Sequence, residues 1–482
     1  MSLRRRLRPF VSFLLACQLF VLTAYGKPDW PRDTGVQAEA GIVVDMDSGA
    51  VLFGQNIHLP YPPASITKLL TALVVLEHCQ LDETVEFSET AVNSVESDSG
   101  NKLGSVAGDR LSVEDCLYGM LLESSNQAAN ALAEHTAGSI PDFVEMMNEK
   151  IAQLGCTESH FDNPSGLNGD TQYVSAYDMA IIARAAFSNE ELLTISSTLS
   201  RKLAGTANYP GGITVENENR LIKPDDELYY PSAKAGKTGY LIAAGNTLVT
   251  YGEENGRRLV SVILKGQPRQ YFMDARTLME FGFRDFKNIA PAESEGRYVT
   301  GEEVLHLDRG DFACQDLMID PAAVITLPNG ASLEDADVAL DALPAEYPER
   351  AVGQLTYTYN DRVIGTAFLL AKDGVALPDA PQETPVEGET EPAESVPAEN
   401  AASPESEGAS LSAGATAAIV VLVLAVLLGG GFAAWRYIQH KKEMERLARR
   451  RAERRRRLEE SGEWEEFERI RAMQKSRRAE NE

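Results

Sequence analysis

Apolar and polar positions alternate with two different periods along this chain, and the period changes divide it. Gly41-Ile42-Val43-Val44-Asp45 is rich in β-branched residues, Asp47-Ser48-Gly49 is turn-forming, and Val51-Leu52-Phe53 returns. This pattern predicts a hairpin, which Pro60, Pro62 and Pro63 end. Behind Ser65-Ile66-Thr67-Lys68, the residues Leu69, Leu70, Leu73, Val74 and Leu76 recur at helical spacing. A second helical region covers 113–135 and is interrupted by polar Glu123-Ser124-Ser125-Asn126. Amphipathic helices are predicted over 143–154 and 177–187. After Gly211 the pattern turns to adjoining strands, at 234–250 and 258–265, followed by a helix over 273–281. Strands at both ends with helices between predict one α+β domain whose sheet closes on itself. From about 289 to 376 the runs are short and broken by turn signals such as Pro328-Asn329-Gly330 and Asp373-Gly374. Residues 356–359 and 363–368 read as a hairpin, so a small all-β domain is predicted there.

The two ends differ from the middle. Arg4, Arg5, Arg6 and Arg8 precede an apolar run over 10–24, the pattern of a secretory signal, with small residues suited to cleavage before Lys27. Leu14-Leu15-Ala16-Cys17 also resembles a lipoprotein box, although the apolar run continues past Cys17. A second apolar run, 413–435, carries no charge and reaches about 35 Å as a helix, enough to span a bilayer. Lys441, Lys442 and a dense Arg series follow it, whereas no Lys or Arg lies between Lys372 and Arg436. The asymmetry predicts a cytoplasmic tail and an extracellular middle. The predicted organisation is therefore signal peptide 1–26, α+β domain 27–288, β-rich domain 289–377, disordered acidic linker 378–412 rich in Pro, Glu, Ala and Ser, transmembrane helix 413–435 and basic tail 436–482. The tail reads as a charged helix attracted to anionic lipid; no cytoplasmic partner is indicated. A formal net charge of −27 argues against nucleic acid as partner. Cys116 and Cys156 fall in apolar helical stretches and read as buried free thiols.

Three short motifs carry chemistry. In Ser65-Ile66-Thr67-Lys68, a helix would bring the hydroxyl and the amine to one face. A Ser needs a base to become a nucleophile, and a Lys serves as base only if burial or a second cation lowers its pKa. Ser124-Ser125-Asn126 is a polar break in an apolar stretch: Ser124 could relay a proton to a leaving amine and Asn126 could position Lys68 and a substrate amide. Lys237-Thr238-Gly239 supplies the second cation, a hydroxyl for a carboxylate, and a glycine that lets an extended peptide approach the strand. Each motif alone is common; the three in this order are far more specific.

With these motifs the chain resembles the low-molecular-mass penicillin-binding proteins, the D-alanyl-D-alanine carboxypeptidases of the DacA/DacF type (serine peptidase family S11). The resemblance runs from about 38 to 376. It is carried by Pro63-Ala64-Ser65-Ile66-Thr67-Lys68-Leu69, Leu122-Glu123-Ser124-Ser125-Asn126-Gln127-Ala128-Ala129, Asn163-Pro164-Ser165-Gly166-Leu167 and Gly236-Lys237-Thr238-Gly239-Tyr240. It implies a penicillin-binding/β-lactamase-like transpeptidase domain, an antiparallel sheet with helices on both sides. It further implies that Ser65 is the nucleophile, Lys68 the general base, Ser124 a proton relay and Asn126 a positioning residue. Lys237 and Thr238 would bind the terminal carboxylate of a peptidoglycan stem peptide. Gly239 would admit the peptide, and the amides of Ser65 and Tyr240 would form the oxyanion hole. β-Lactams would acylate Ser65; no metal or cofactor is implied.

The chain departs from the family pattern at three places. Gln127 stands for the usual Asp, Leu241 for the usual Thr, and Tyr271, with Arg269 two residues away, for an Arg near the carboxylate. These departures leave open a D,D-endopeptidase acting on cross-links and a catalytically impaired wall-binding protein. A β-lactamase would need a Glu in a stretch such as Asn163-Pro164-Ser165-Gly166-Leu167-Asn168, which has none.

Overall fold

The computed structural model describes residues 27–377, apart from residue 33 and residues 96–99. The predicted hairpin is β1 (Ala40–Asp45) and β2 (Val51–Gln55). A 3-10 turn, Ala64–Thr67, leads into α1 (Lys68–His78). A short pair, β3 (Thr84–Glu86) and β4 (Arg110–Ser112), flanks α2 (Glu89–Asn93). Five helices follow: α3 (Val113–Leu122), α4 (Asn126–Ala137), α5 (Ile140–Gln153), α6 (Ala176–Ser188) and α7 (Glu190–Ser197). After β5 (Ser200–Lys202) and β6 (Thr214–Glu216) come β7 (Ala233–Leu241), β8 (Gly245–Glu254), β9 (Arg257–Gly266) and α8 (Gln270–Asp285). The polar break at 123–126 is a helix junction. The Ser125 hydroxyl accepts from the Ala128 amide and caps α4, satisfying one of the orphan donors of a helix start.

The five long strands form one antiparallel sheet in the order β2-β1-β9-β8-β7, so first and last strands meet at its centre. Successive side chains on a strand face opposite ways, and both faces are covered. From β1 and β9, Ile42, Val44, Val260 and Val262 enter the cluster built with α1, α3, α4 and α6. Val43, Leu259 and Ile263 enter the cluster built with α8. Each such Ile, Val or Leu, once fully buried, stabilises the fold by roughly 1.5–3 kcal/mol. This two-sided burial is why these strands read as unbroken apolar runs. β7 is left at an edge of the sheet, beside the 3-10 turn that holds Ser65.

β10 (Phe286–Ile289) starts directly where α8 ends and pairs with β14 (Ile325–Pro328). Between them lie the hairpin β11 (Val304–Leu307) and β12 (Gly310–Ala313), and β13 (Leu317–Ile319). With β15 (Asp337–Asp341), β16 (Ala351–Tyr359) and β17 (Arg362–Ala371), β13 makes a four-stranded sheet in the order β13-β17-β16-β15. The predicted 356–368 hairpin is the β16–β17 turn. No linker separates this part from the first sheet, and the α8 cluster runs on into its core. Polar contacts close the seam: Arg257 donates to Asn288 at 3.1 Å, Asn288 donates to Asp45 at 3.2 Å, and the hydroxyls of Ser48 and Thr326 lie 2.7 Å apart. Cys79, Cys116, Cys156 and Cys314 are free and buried.

Among the described residues no helix is long and apolar enough to cross a membrane. The predicted signal segment with Cys17, the linker 378–412, the span 413–435 and the tail 436–482 all lie outside the described residues.

Candidate active site

Ser65 stands on the 3-10 turn, and Lys68 is the first residue of α1. The predicted pairing of Ser65 and Lys68 holds, but through a tighter turn than an α-helix, in which residues three apart nearly eclipse. Lys68 is fully buried, and its Nζ lies 2.9 Å from Ser65 Oγ, 2.8 Å from Asn126 Oδ1 and 2.5 Å from the Ser165 carbonyl oxygen. A neutral amine has two N–H donors and one lone pair. The amide and carbonyl oxygens only accept, so they take the two N–H groups, and the lone pair is left facing the Ser65 hydroxyl. Burial pushes the Lys68 pKa well below its usual value, and the nearby Lys237 and Lys102 push it the same way. The neutral amine that a base requires is thereby favoured.

The backbone around this pair is tightly specified. Ala64 has φ 53° and Ser124 φ 61°, left-handed conformations that side chains disfavour. Gly166, at φ +81°, packs so close that a Cβ there would lie 1.9 Å from the Ala64 carbonyl oxygen. The Asn163 side chain accepts from the amides of Ser165, Gly166 and Leu167 and so fixes the turn that aims the Ser165 carbonyl at Lys68. Ser165 carries no motif signal of its own; only the Asn-Pro-Ser-Gly turn sequence marks it.

A cleft of about 690 Å³ opens over Ser65, lined also by Ser124, Asn126, Thr238, Gly239, Tyr240 and Leu241. Lys237 and Thr238 lie on the edge strand β7. Lys237 is 1% exposed, and its Nζ donates to the Thr238 carbonyl at 2.9 Å. At Gly239 a Cβ would lie 2.8 Å from the Ser65 amide nitrogen and 2.4 Å from Thr247 Oγ1, so only glycine lets the strand run this close to the nucleophile. The Thr247 hydroxyl donates to the Pro63 carbonyl at 2.9 Å and ties β8 to the same turn. Every predicted site residue thus lines or abuts one cleft.

Two residues absent from the sequence reading join them. Glu218 lies on the loop after β6. Its Oε1 is 2.5 Å from Lys102 Nζ; its Oε2 accepts from the Thr238 hydroxyl at 3.0 Å and lies 3.8 Å from Lys237 Nζ. Burial alone would raise the Glu218 carboxyl, but Lys237, Lys102 and Thr238 outweigh it and bring it to about 2. Burial pulls Lys237 down, Glu218 holds it up and Lys102 opposes, leaving it at about 8. Neither Glu218 nor Lys102 has a local sequence signal, because their ion pair joins positions 116 apart.

At the three departures, the Gln127 amide donates to the Gly100 carbonyl at 3.2 Å, and Leu241 and Tyr271 line the cleft. Arg269 does not replace the expected Arg: it pairs with Glu227 at 2.7 Å. The fold also gathers Cys79, Glu83 and His135, with one possible ligand atom each within 4.8 Å of the others, a cluster that sequence spacing does not show. There His135 is already paired with Glu83 at 2.8 Å, and burial raises the Cys79 thiol, which disfavours a metal-binding thiolate.

Known proteins share both this arrangement and its sequence. Residues 27–268 match the family model described as D-alanyl-D-alanine carboxypeptidase, peptidase S11. The chain is 38% identical over 264 residues to the D-alanyl-D-alanine carboxypeptidase DacB2 of Mycobacterium tuberculosis, covering 53% of this chain and 84% of that one. It is 30% identical over 330 residues to DacA of Escherichia coli, covering 65% and 78%. Among solved structures, penicillin binding protein 5 from Haemophilus influenzae matches with a TM-score of 0.57 at 25% identity, over 71% of this chain and 98% of that one. The chain belongs to the S11 family of D-alanyl-D-alanine carboxypeptidases, the low-molecular-mass penicillin-binding proteins.

Proposed function

We infer that this protein is a serine D-alanyl-D-alanine carboxypeptidase that removes the terminal D-Ala from peptidoglycan stem peptides through an acyl-enzyme on Ser65. The observation that carries this reading is the buried Lys68, whose two acceptor partners leave its lone pair for the Ser65 hydroxyl. Lys68 takes the hydroxyl proton as Ser65 Oγ attacks the carbonyl carbon of the penultimate D-Ala. The negative charge that develops on the carbonyl oxygen is met by the amides of Ser65 and Tyr240. The C–N bond then breaks, and the departing D-Ala amine receives the proton from Lys68 by way of Ser124. Water next gives a proton to Lys68 and attacks the acyl carbon; Ser65 leaves with its proton restored, and the shortened peptide is free. Lys237 and Thr238 hold the terminal carboxylate, and the open edge of β7 accepts the extended peptide as an added strand. In a β-lactam the broken C–N bond lies in a ring, so the leaving amine stays attached and blocks water.

The same reading keeps residues 27–412 outside the cell on a single span at 413–435, supported by the charge asymmetry across that run. The test is D-alanine release from diacetyl-Lys-D-Ala-D-Ala by the full-length chain in detergent, beside Ser65→Ala. Release that needs Ser65 and stops with penicillin is the expected result. Penicillin labelling of Ser65 without release would move the assignment to cleavage of cross-links.

A further inference from the structure

Two ammonium groups, Lys102 and Lys237, flank the cleft beside the Lys68 amine, and a carboxylate of the protein's own already lies against them. Glu218 accepts a hydrogen bond from the Thr238 hydroxyl and sits against Lys237. A peptide's C-terminal carboxylate would bring the same two oxygens and the same charge to the same hydroxyl and ammonium. Thr238 has one O–H to donate and cannot serve both carboxylates. Lys237 is buried beside Glu218.

Glu218 is not needed to hold its loop. The Asn217 side chain donates to the carbonyls of Ser196 and Thr198 at 2.9 and 3.0 Å, and Asn219 Oδ1 accepts from the Leu221 amide at 3.1 Å. Both asparagines are buried, whereas the Glu218 side chain is 32% exposed and reaches from the loop into the cleft. Lys102, 44% exposed at the rim, pairs with its far oxygen.

We propose that Glu218 is a specificity-determining residue, an internal carboxylate that competes with the substrate's terminal carboxylate for Thr238 and Lys237, and that Lys102 is the cation that holds it aside when substrate binds. This deepens the carboxypeptidase reading and rests on it. The two residues then act in opposite directions. Removing Glu218 frees the subsite; removing Lys102 leaves Glu218 to Thr238 and Lys237 and closes it.

The experiment uses full-length chain in detergent at about pH 6.5, below the value of about 8 that Lys237 has beside Glu218, and again at about pH 5.5, because removing Glu218 lowers Lys237 further. The probes are diacetyl-Lys-D-Ala-D-Ala, the same peptide with a C-terminal amide, and penicillin, which also carries a carboxylate. Glu218→Ala lowers KM for the free acid by about tenfold, the worth of one charge-assisted hydrogen bond, and leaves KM for the amide unchanged. Glu218→Gln, which keeps the shape without the charge, falls between. Lys102→Met raises KM for the acid, and the double variant behaves as Glu218→Ala. Penicillin acylates Glu218→Ala faster than the wild type. If both single substitutions raise KM, or if acid and amide change together, the pair is structural and the proposal is overturned. Penicillin labelling of Ser65 that is indifferent to Glu218→Ala overturns the competition alone; absence of labelling in every form, wild type included, overturns the carboxypeptidase reading with it.

Discussion

The protonation state of Lys68 can be moved through one residue, Asn126. Its Oδ1 accepts from Lys68 Nζ at 2.8 Å in a buried position, and the Ser165 carbonyl accepts at 2.5 Å. Asn126→Ala removes one of these two acceptors and leaves an N–H without a partner. That costs roughly 1–3 kcal/mol, a fall of about 5- to 150-fold in acylation rate if the loss is felt in the transition state. Asn126→Asp has a different consequence. It keeps an oxygen in place but adds a negative charge in contact with the amine, which raises the Lys68 pKa by about 1–3 units. Lys68 must be neutral to act as base. The rising limb of the rate–pH profile therefore moves up by the same interval. Well below both pKa values the variant is about ten to a thousand times slower, and it recovers as pH rises. Stopped-flow acylation by a saturating chromogenic β-lactam reads this step with the binding contribution of Lys237 removed. An Asn126→Asp profile that rises at the wild-type pH would refute the reasoning, because the carboxylate would then not face the amine that takes the proton.

Three further outcomes follow from the same geometry. Lys237 must carry its charge to bind a carboxylate, and its pKa is about 8; kcat/KM for the free-acid peptide should fall as pH rises through that value, while the C-terminal amide should show no such limb. Gly239→Ala would place a Cβ 2.4 Å from Thr247 Oγ1 and 2.8 Å from the Ser65 amide nitrogen; β7 must retreat, and penicillin acylation should drop by about a hundredfold, the scale of a 1 Å misplacement, with little change in Tm. Asp45 is fully buried and accepts from Arg257, Asn288 and the amides of Asp47 and Ser48. Asp45→Ala leaves Arg257 without its buried partner and should cost about 3–5 kcal/mol in urea unfolding, while the folded fraction still labels with penicillin.

Much of the fold was legible because local pattern and tertiary role agree. The β1–β2 hairpin has β-branched runs around Asp47-Ser48-Gly49, and its register follows from that turn. The break at 123–126 was visible as polarity, and it is polar because Ser125 caps a helix there. Elsewhere the pattern was silent. The 234–250 stretch reads as continuous β, yet it folds back between β7 and β8; Ile242 and Ala244 are not turn formers, and only Gly245, at φ 64°, marks the reversal. The 3-10 geometry at Ser65 was hidden for a similar reason, since the helical spacing begins only at Leu69. Lys102 and Glu218 could not be read at all. Each is an ordinary loop charge until the fold brings their loops together.

Where the chain departs from its family is itself ordered in space. The acylating group, Ser65 with Lys68, Asn126 and the Ser165 carbonyl, keeps every partner that proton transfer needs. Of the three departures, two line the cleft and one lies behind it. Leu241 and Tyr271 line it, and Gln127 is bonded to Gly100, two residues from the Lys102 that pairs with Glu218. A site losing function altogether would have no reason to spare the buried lysines. A charged Lys68 or Lys237 in an apolar interior costs stability unless it is used or partnered. Retained burial and partnering at the base fit an enzyme whose acylation chemistry is intact.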